Sequence, residues 1–580
     1  MSRGWIAGEI EEEIRRRTDI VAMVSAHASL KKSGRCYKGL CPFHQEKTPS
    51  FHVDPERGLF RCFGCGAGGD VFDFAMRSAN LTFMEAAVEL GRRAGVEVET
   101  SPDAAQRAPE REHILRSLAG RFALGRLGLG ALVILAVFSA AWVEPVRVTI
   151  VGEPGQYELR VNYRSFYVKG VSFSLNEDPL RFDEHLTPAR LHYHFRRIRQ
   201  MGANTIRRYH DNPDTQLVLD EASRANLMVM LGIWLDQDVD YLRDAQRLQV
   251  YRDRVRDWVL RYRGHPALLM WVLGNETWGL LKKEFQDPRE LLPRRIAYYR
   301  FVNELARLVK SLDPNHPIMT VDEHAPDLFE THPRGFLGIE TSMAMFRDLV
   351  PAVDVLGVNS YFPQDISILQ RLVVRARIGR PYLVSEFGPP AYWGVHWTWD
   401  DMGLPVEPTD LVKSLSYVAN WKHHIEAHRG WNLGGNAFVW KDKNEGSYTW
   451  FGLTDSKDRL KPAYWSLREA WTGQRQPPTR PVVVGLEINK RWMRPEESFV
   501  VRTRLLPHLN PESFRYTYVV GSAAMTHVAA QFTTELPRVS VQAPGTPDLY
   551  RVYVYVTTRD DRWVSTGSAT FGVYLPAVKP

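Results

Sequence analysis

From Tyr167 onward, short unbroken apolar runs recur along the chain and alternate with amphipathic stretches. The runs are YVKGVSFS at 167, NTIRRYH at 204, LMVMLGIWL at 227, LLMWVLGNE at 268, PIMTV at 317, DVLGVNSY at 354, YLVSEFG at 382 and GNAFVW at 435. A strand covered on both faces reads as a continuous apolar run, whereas a half-exposed one alternates. Connecting segments such as TPARLHYHFRRIRQMG and RIAYYRFVNELARLVKSL repeat their apolar residues at helical spacing. Eight such strands with helices between them, over about 270 residues, predict a (β/α)8 barrel. With a short β lead-in, it occupies 144–475.

After Gln476 the pattern changes to alternation. VVVGLEINK, SFVVRTRLL, RYTYVVGSA, RVSVQA, YRVYVYVTT and SATFGVYL predict a β-sandwich over 476–580. It is immunoglobulin-like in size but has no cysteines, and its expected role is to brace the barrel, the alternative being to bind glycan. Upstream, 101–126 is polar and reads as a linker. Leu127 to Val143 (LGLGALVILAVFSAAWV) then runs without a charge. That run predicts a transmembrane helix near the lower length limit, the alternative being a buried helix of a soluble domain. Arg107, Arg111, Arg116, Arg121 and Arg126 precede it. The asymmetry predicts a single-pass protein of the bacterial cytoplasmic membrane, N-terminus cytoplasmic and barrel outside. The expected architecture is therefore multidomain: a small zinc-ribbon α+β module over 1–100, a transmembrane helix, a TIM barrel and a C-terminal β-sandwich.

Composition narrows the function classes. In 580 residues, 44% are hydrophobic and 24% charged, which excludes wholesale disorder. A net charge of +7 permits contact with nucleic acid or anionic lipid and establishes neither. All four cysteines fall between Cys36 and Cys65, excluding a disulfide-stapled scaffold, and 13 of the 17 tryptophans fall between Trp234 and Trp471.

Cys41-Pro-Phe-His44 and Cys62-Phe-Gly-Cys65 form two short-spaced ligand pairs around a hairpin-length insert. That is how a closed tetrahedral zinc site is built, so Cys41, His44, Cys62 and Cys65 are candidate ligands of a structural zinc ion; Cys36 stands outside the pairs. The string from Gly64 to Gly69 matches G-x-G-x-x-G, but Cys65 lies inside it and no βαβ unit surrounds it, so a nucleotide reading is rejected. From about 10 to 98, through TDIVAMVSAHASLKKSGRCYKGLCPFHQEKTPSFHVDPERGLFRCFGCGAGGDVFDF, the chain resembles the N-terminal zinc-binding module of bacterial DNA primases. The resemblance implies zinc on those four residues and single-stranded DNA as a partner. Lys31, Lys32, Arg35, Lys38, Lys47, Arg57 and Arg61, with Phe60 and Phe63, are the candidate contacts; a solvated face is the equal alternative, since Glu46, Asp54 and Glu56 interleave. No polymerase domain follows, so primer synthesis is not expected.

Polar residues gather at the C-terminal ends of the barrel runs, where such barrels place their sites: Arg207, His210, Asn275, Glu276, Asn359, Tyr361, Glu386 and Trp440. Glu276 and Glu386 each end a run of buried strand residues, an expensive place for a carboxylate. A pair of carboxylates is what glycoside cleavage needs; the alternative is a salt bridge to Arg207 in an inactive barrel. Residues 165–475, through WFGLTDSKDRLKPAYWSLREAW, resemble the barrels of glycoside hydrolase family 2. The resemblance implies that Glu276 is the acid/base and Glu386 the nucleophile of a retaining enzyme acting on β-linked glycans. It further implies that Asn275 holds the sugar 2-hydroxyl, that Arg207 and Tyr361 orient the nucleophile, and that Trp440 floors the sugar. Trp393, Trp397, Trp399 and Trp450 would extend that platform, core packing being the equal alternative for each. The family's preceding sandwich domains have no room here, so the sugar does not carry over, and hydrolase and transglycosylase stay open. His424 and His428, and His192 with His194, are expected on helix surfaces. Two rival readings are a zinc-dependent DNA-binding protein with a non-catalytic glycan-binding barrel, and an accidental joining of two genes.

Overall fold

The computed structural model describes residues 8–96 and 146–575, apart from 34–35, 44–45, 47–48, 56–57, 63–67, 80–82, 175–185, 211, 324–338, 394–397, 476–478 and 525. The chain divides into two compact units, 1–143 and 144–580.

In the first unit, helices Gly8–Arg17 and Ile20–Ser25 precede a five-stranded antiparallel sheet, and helices Val71–Ala79 and Phe83–Ala94 follow it. The strands β1 (Leu30–Ser33), β2 (Cys36–Gly39), β3 (Phe51–Asp54), β4 (Leu59–Cys62) and β5 (Gly68–Gly69) pair in sequence order. Alternation sends Phe51 and Val53 of β3 inward, and Phe51 stacks on Phe60 of β4 at 5.3 Å. The Asp19 side chain accepts the Val21 and Ala22 backbone N–H groups and so starts the second helix.

The second unit opens with a three-stranded antiparallel sheet, β6 (Val148–Val151), β7 (Glu158–Val161) and β8 (Arg164–Phe166). Its Val148 and Leu159 pack on Met230, Met270 and Leu383, residues from the first halves of barrel strands. The barrel itself is closed and parallel. Its strands are β9 (Val168–Ser172), β10 (Thr205–Arg208), β11 (Met228–Ile233), β12 (Leu268–Leu273), β13 (Ile318–Glu323), β14 (Val355–Asn359), β15 (Tyr382–Phe387) and β16 (Asn432–Ala437). These are the eight apolar runs, and β10, β12, β14, β15 and β16 are buried throughout, as covering both faces requires.

Eight strands make two C-terminal sheets: β17 (Val483–Ile488), β18 (Trp492–Met493), β19 (Ser498–Leu505), β20 (Phe514–Ser522), β21 (Val528–Thr534), β22 (Arg538–Gln542), β23 (Asp548–Thr558) and β24 (Val564–Val573). One sheet runs β17-β19-β22 and the other β18-β24-β23-β20-β21, around a shared core that includes Val501, Tyr516 and Val552. They dock on the barrel through buried polar groups. The Asp410 carboxylate accepts from the Thr566 backbone N–H at 2.6 Å and the Thr566 hydroxyl at 3.0 Å. Glu407 and Lys413 pair at 2.6 Å beside it. The Arg480 guanidinium, on a residue 5% exposed, lies over both the Trp465 and Trp563 rings, which meet edge to face at 5.7 Å.

The expected membrane helix is corrected. Among the described residues no helix is long and apolar enough to cross a membrane, and 127–143 lies outside them. The longest described helix, Pro288–Leu312, carries Arg294, Arg295, Arg300 and Arg307 and packs its apolar side into the barrel wall. The transmembrane element is therefore withdrawn from the fold class, and with it the single-pass placement at the cytoplasmic membrane and the membrane as a partner.

Candidate functional site

Strand ends set the site. β12 stops at Gly274, whose φ of +73° turns the chain, and Glu276 follows at φ +56°, capping helix Thr277–Glu284. A left-handed backbone costs a side-chain-bearing residue on the order of 1–3 kcal/mol and persists only where the surroundings impose it. Here the Glu276 N–H is tied to the Val321 carbonyl of β13 at 2.8 Å. On β14 and β15, a register shift after Val358 sets Asn359 opposite Glu386.

The side chains then form one connected cluster. Arg207 gives one guanidinium nitrogen to Glu386 Oε1 at 2.9 Å and the other to Asn275 Oδ1 at 2.7 Å. Tyr209 donates its hydroxyl to the same Glu386 oxygen at 2.9 Å, and Tyr361 donates to the other oxygen at 2.5 Å. Asn359 donates from Nδ2 to Glu276 Oε1 at 2.8 Å and to Asn275 Oδ1 at 3.1 Å, which ties Glu276 to the Arg207 cluster. Burial first, and the Glu386 charge second, push the Glu276 carboxyl up to about 8. Burial and the same charge raise the Tyr209 and Tyr361 hydroxyls well above the ordinary tyrosine value, so both remain donors. The arrangement offers a proton on one carboxyl, after β12, and a second carboxylate pinned by donors on β15, the division of labour that acid-assisted displacement at a sugar carbon uses.

Other candidate residues lie further out or behind. His210 is exposed at the rim and stacks on Trp234 at 4.5 Å. Trp440 is 0% exposed, and its indole N–H donates to His194 Nδ1 at 3.0 Å. His194, expected on a helix surface, is itself fully buried, because it is the acceptor that Trp440 needs. Trp393 is 49% exposed and meets the Tyr361 ring edge-on at 5.4 Å, while Trp450 is buried and Trp397 lies outside the described residues. Trp399 is exposed in the same loop. His428 is half-buried and shares a hydrogen bond with the Tyr382 hydroxyl at 3.0 Å. Tyr209 was not among the sequence candidates. Its position two residues after Arg207 puts it on the same strand face, and that spacing was the available signal.

In the N-terminal unit, Cys41 and Cys62 are buried. The Phe43 N–H points at Cys41 Sγ at 3.4 Å, as a metal-binding knuckle does. Glu46 accepts from the Cys41 N–H at 2.8 Å and from the Ser50 hydroxyl, which in turn lies 3.2 Å from Cys62 Sγ. Both thiols therefore face one small polar region, and a thiophilic metal suits them. His44 and Cys65 lie outside the described residues, and among those described no three potential ligands cluster.

Two family models match the chain. One, described as glycosyl hydrolases family 2, TIM barrel domain, covers residues 155–472, more than half of the length. The other, the CHC2 zinc finger, covers 6–106. Among curated proteins, DNA primase of Geobacillus stearothermophilus is 53% identical over 93 residues, 16% of this chain and 16% of that protein. DNA primase of Myxococcus xanthus is 46% identical over 103 residues, 18% of this chain and 17% of that protein. The chain thus matches about a sixth of these relatives' length. Among solved structures, a β-glucuronidase of Bacteroides uniformis is 15% identical over 74% of this chain and 48% of that one, with a TM-score of 0.43. A family 2 β-galacturonidase of Eisenbergiella tayi is 18% identical over 57% of this chain and 54% of that one, with a TM-score of 0.41.

Proposed function

Because the chain belongs to glycosyl hydrolase family 2, we propose that its barrel is a retaining glycosidase acting on β-linked glycans, with Glu276 as acid/base and Glu386 as nucleophile. Glu276 gives its proton to the glycosidic oxygen while a Glu386 oxygen attacks the anomeric carbon. The C–O bond to the leaving alcohol breaks, and an ester between sugar and Glu386 forms. Glu276, now a carboxylate, takes a proton from water, which attacks the anomeric carbon and frees Glu386. An acceptor sugar in place of water gives the transglycosylase version. The carrying observation is the inequality of the two carboxyl groups: Glu386 accepts from Arg207, Tyr209 and Tyr361, whereas Glu276 holds its proton beside the single amide of Asn359. Asn275, fixed through its Oδ1 by Arg207, is the partner for the sugar 2-hydroxyl. Half-exposed Trp393 offers the sugar a face beside Tyr361, and Trp440 supports the site from behind.

A panel of aryl β-glycosides identifies the sugar, and proton NMR of the first product tests retention; an inverted product would sink this mechanism. On the active substrate, Glu386→Ala loses turnover, and azide restores it by forming the glycosyl azide of inverted configuration. Glu276→Gln loses about 10²–10⁴-fold on poor leaving groups and little on activated ones.

For the ribbon, we propose one structural zinc ion on Cys41, His44, Cys62 and Cys65, the charge-neutralising and crosslinking group that so small a core needs. Lys31 and Lys38 stand directly opposite each other on β1 and β2. Like charges in that register repel, and a phosphate between them relieves the repulsion, which favours single-stranded nucleic acid as the ribbon's partner.

A further inference from the structure

A third carboxylate reaches the mouth of the barrel. Glu323 is the last residue of β13 and pairs in register with Asn359, the residue that donates to Glu276. Alternation along β13 fixes its direction. Val321 belongs to the barrel interior, Asp322 turns the other way to Tyr299 at 2.5 Å, and Glu323 shares the inward face of Val321. Its carboxylate rests on the helix that Glu276 caps: a Cβ at Gly279 would lie 2.1 Å from Glu323 Oε1, so the glycine makes the space for it. Lys282, one turn further along that helix, stands 3.5 Å from the same oxygen, which is buried and makes no hydrogen bond among the described residues.

We propose that Glu323 is a positioning residue whose charge, held by Gly279 and Lys282 against the helix that Glu276 caps, keeps the Glu276 proton in place until the leaving oxygen takes it. This rests on the reading of Glu276 as acid/base. The groups around Glu276 are Glu386 from β15, Arg207 from β10, the neutral Asn359 from β14 and Glu323 from β13; Lys282 acts on it from its own helix through Glu323, and Asp322 faces away. Two carboxylates in a site poor in water resist being charged together, so one keeps its proton. Glu386 supplies that repulsion only until it becomes an ester and loses its charge. Glu323 does not react, so its charge persists into the second half-reaction, when Glu276 must be basic enough to take a proton from water.

The test uses the full chain and pH profiles of kcat/KM on a phenyl β-glycoside of the sugar that the panel identifies. Glu323→Gln removes the repelling charge, so the basic limb moves to lower pH by about one unit, a roughly tenfold loss on that limb. Lys282→Met removes the offsetting cation and moves the same limb to higher pH, and the acidic limb stays in place in both. Lys282 is partly exposed, which keeps the test open if Glu323→Gln fails to fold. Basic limbs that superimpose on the wild type, or uniform losses at all pH values, overturn the proposal. Glu276→Gln is run beside them on dinitrophenyl and phenyl glycosides. Loss confined to the phenyl substrate upholds Glu276 as the acid, so unmoved limbs then count against Glu323 alone. Equal loss on both substrates overturns the reading of Glu276 and the proposal with it.

Discussion

Arg207 delivers its two terminal nitrogens to Glu386 and Asn275, and the Asn359 amide nitrogen donates to Asn275 and Glu276, so these five side chains lock one another's rotamers. That network was only partly legible in the sequence. Arg207 and Glu386 announce themselves because a charge inside a buried strand is costly unless paired. Tyr209 gives no such notice, since a tyrosine after an apolar run reads as ordinary core, and His210, which looks more reactive, falls on the opposite face and stacks on Trp234. The Glu276 proton has a measurable consequence. The active acid is the protonated form, and burial lifts its loss of a proton to about 8. Activity on a phenyl β-glycoside should therefore persist up to about pH 8, then fall roughly tenfold for each further pH unit. A basic limb near pH 5, where an ordinary glutamate titrates, would contradict the burial argument.

At the scale of elements, the eight barrel strands were readable because covering both faces demands unbroken apolar runs, and their burial follows that rule. β21 was missed because Val528–Thr534 is an exposed edge strand rich in small and polar residues, with only Ala530 and Phe532 turned onto the core. The helix Pro188–Gln200 was read with His194 outside, since the polarity of histidine hides what a buried indole requires. Burial holds the His194 imidazole down at about 4, so it is neutral in the folded chain and accepts from Trp440. The unfolded chain takes up that proton near pH 6.5. This contribution is thus complete above 6.5 and is lost as pH falls toward 4, about 3 kcal/mol in all. Melting temperatures of wild type and His194→Gln between pH 7 and 4.5 check it: the wild type should lose stability more steeply, and parallel curves would refute the linkage.

For the whole molecule, composition separated a cysteine-bearing end from a tryptophan-rich one, and the chain divides into two compact units on that line. The apolar run 127–143 carried the membrane reading on hydropathy alone. Hydropathy over 17 residues cannot distinguish a lipid-facing helix from other apolar segments, and no described helix meets the requirement. The zinc reading makes a prediction at this scale. A chelator should strip one zinc ion per chain and open the ribbon to protease within 1–100, while glycosidase turnover is unchanged. Activity falling in step with zinc loss would instead couple the two units.

The clasp at Arg480 has an optical consequence. One of its two indoles belongs to the barrel's last helix, Pro462–Thr472, and the other, Trp563, to the segment leading into β24. Two indoles meeting edge to face under one cation have a chiral, charge-shifted environment that exists only while barrel and sheets are docked. The seam thereby carries its own spectroscopic gauge: near-ultraviolet dichroism that vanishes before the far-ultraviolet signal would report the sheets parting from a barrel still folded.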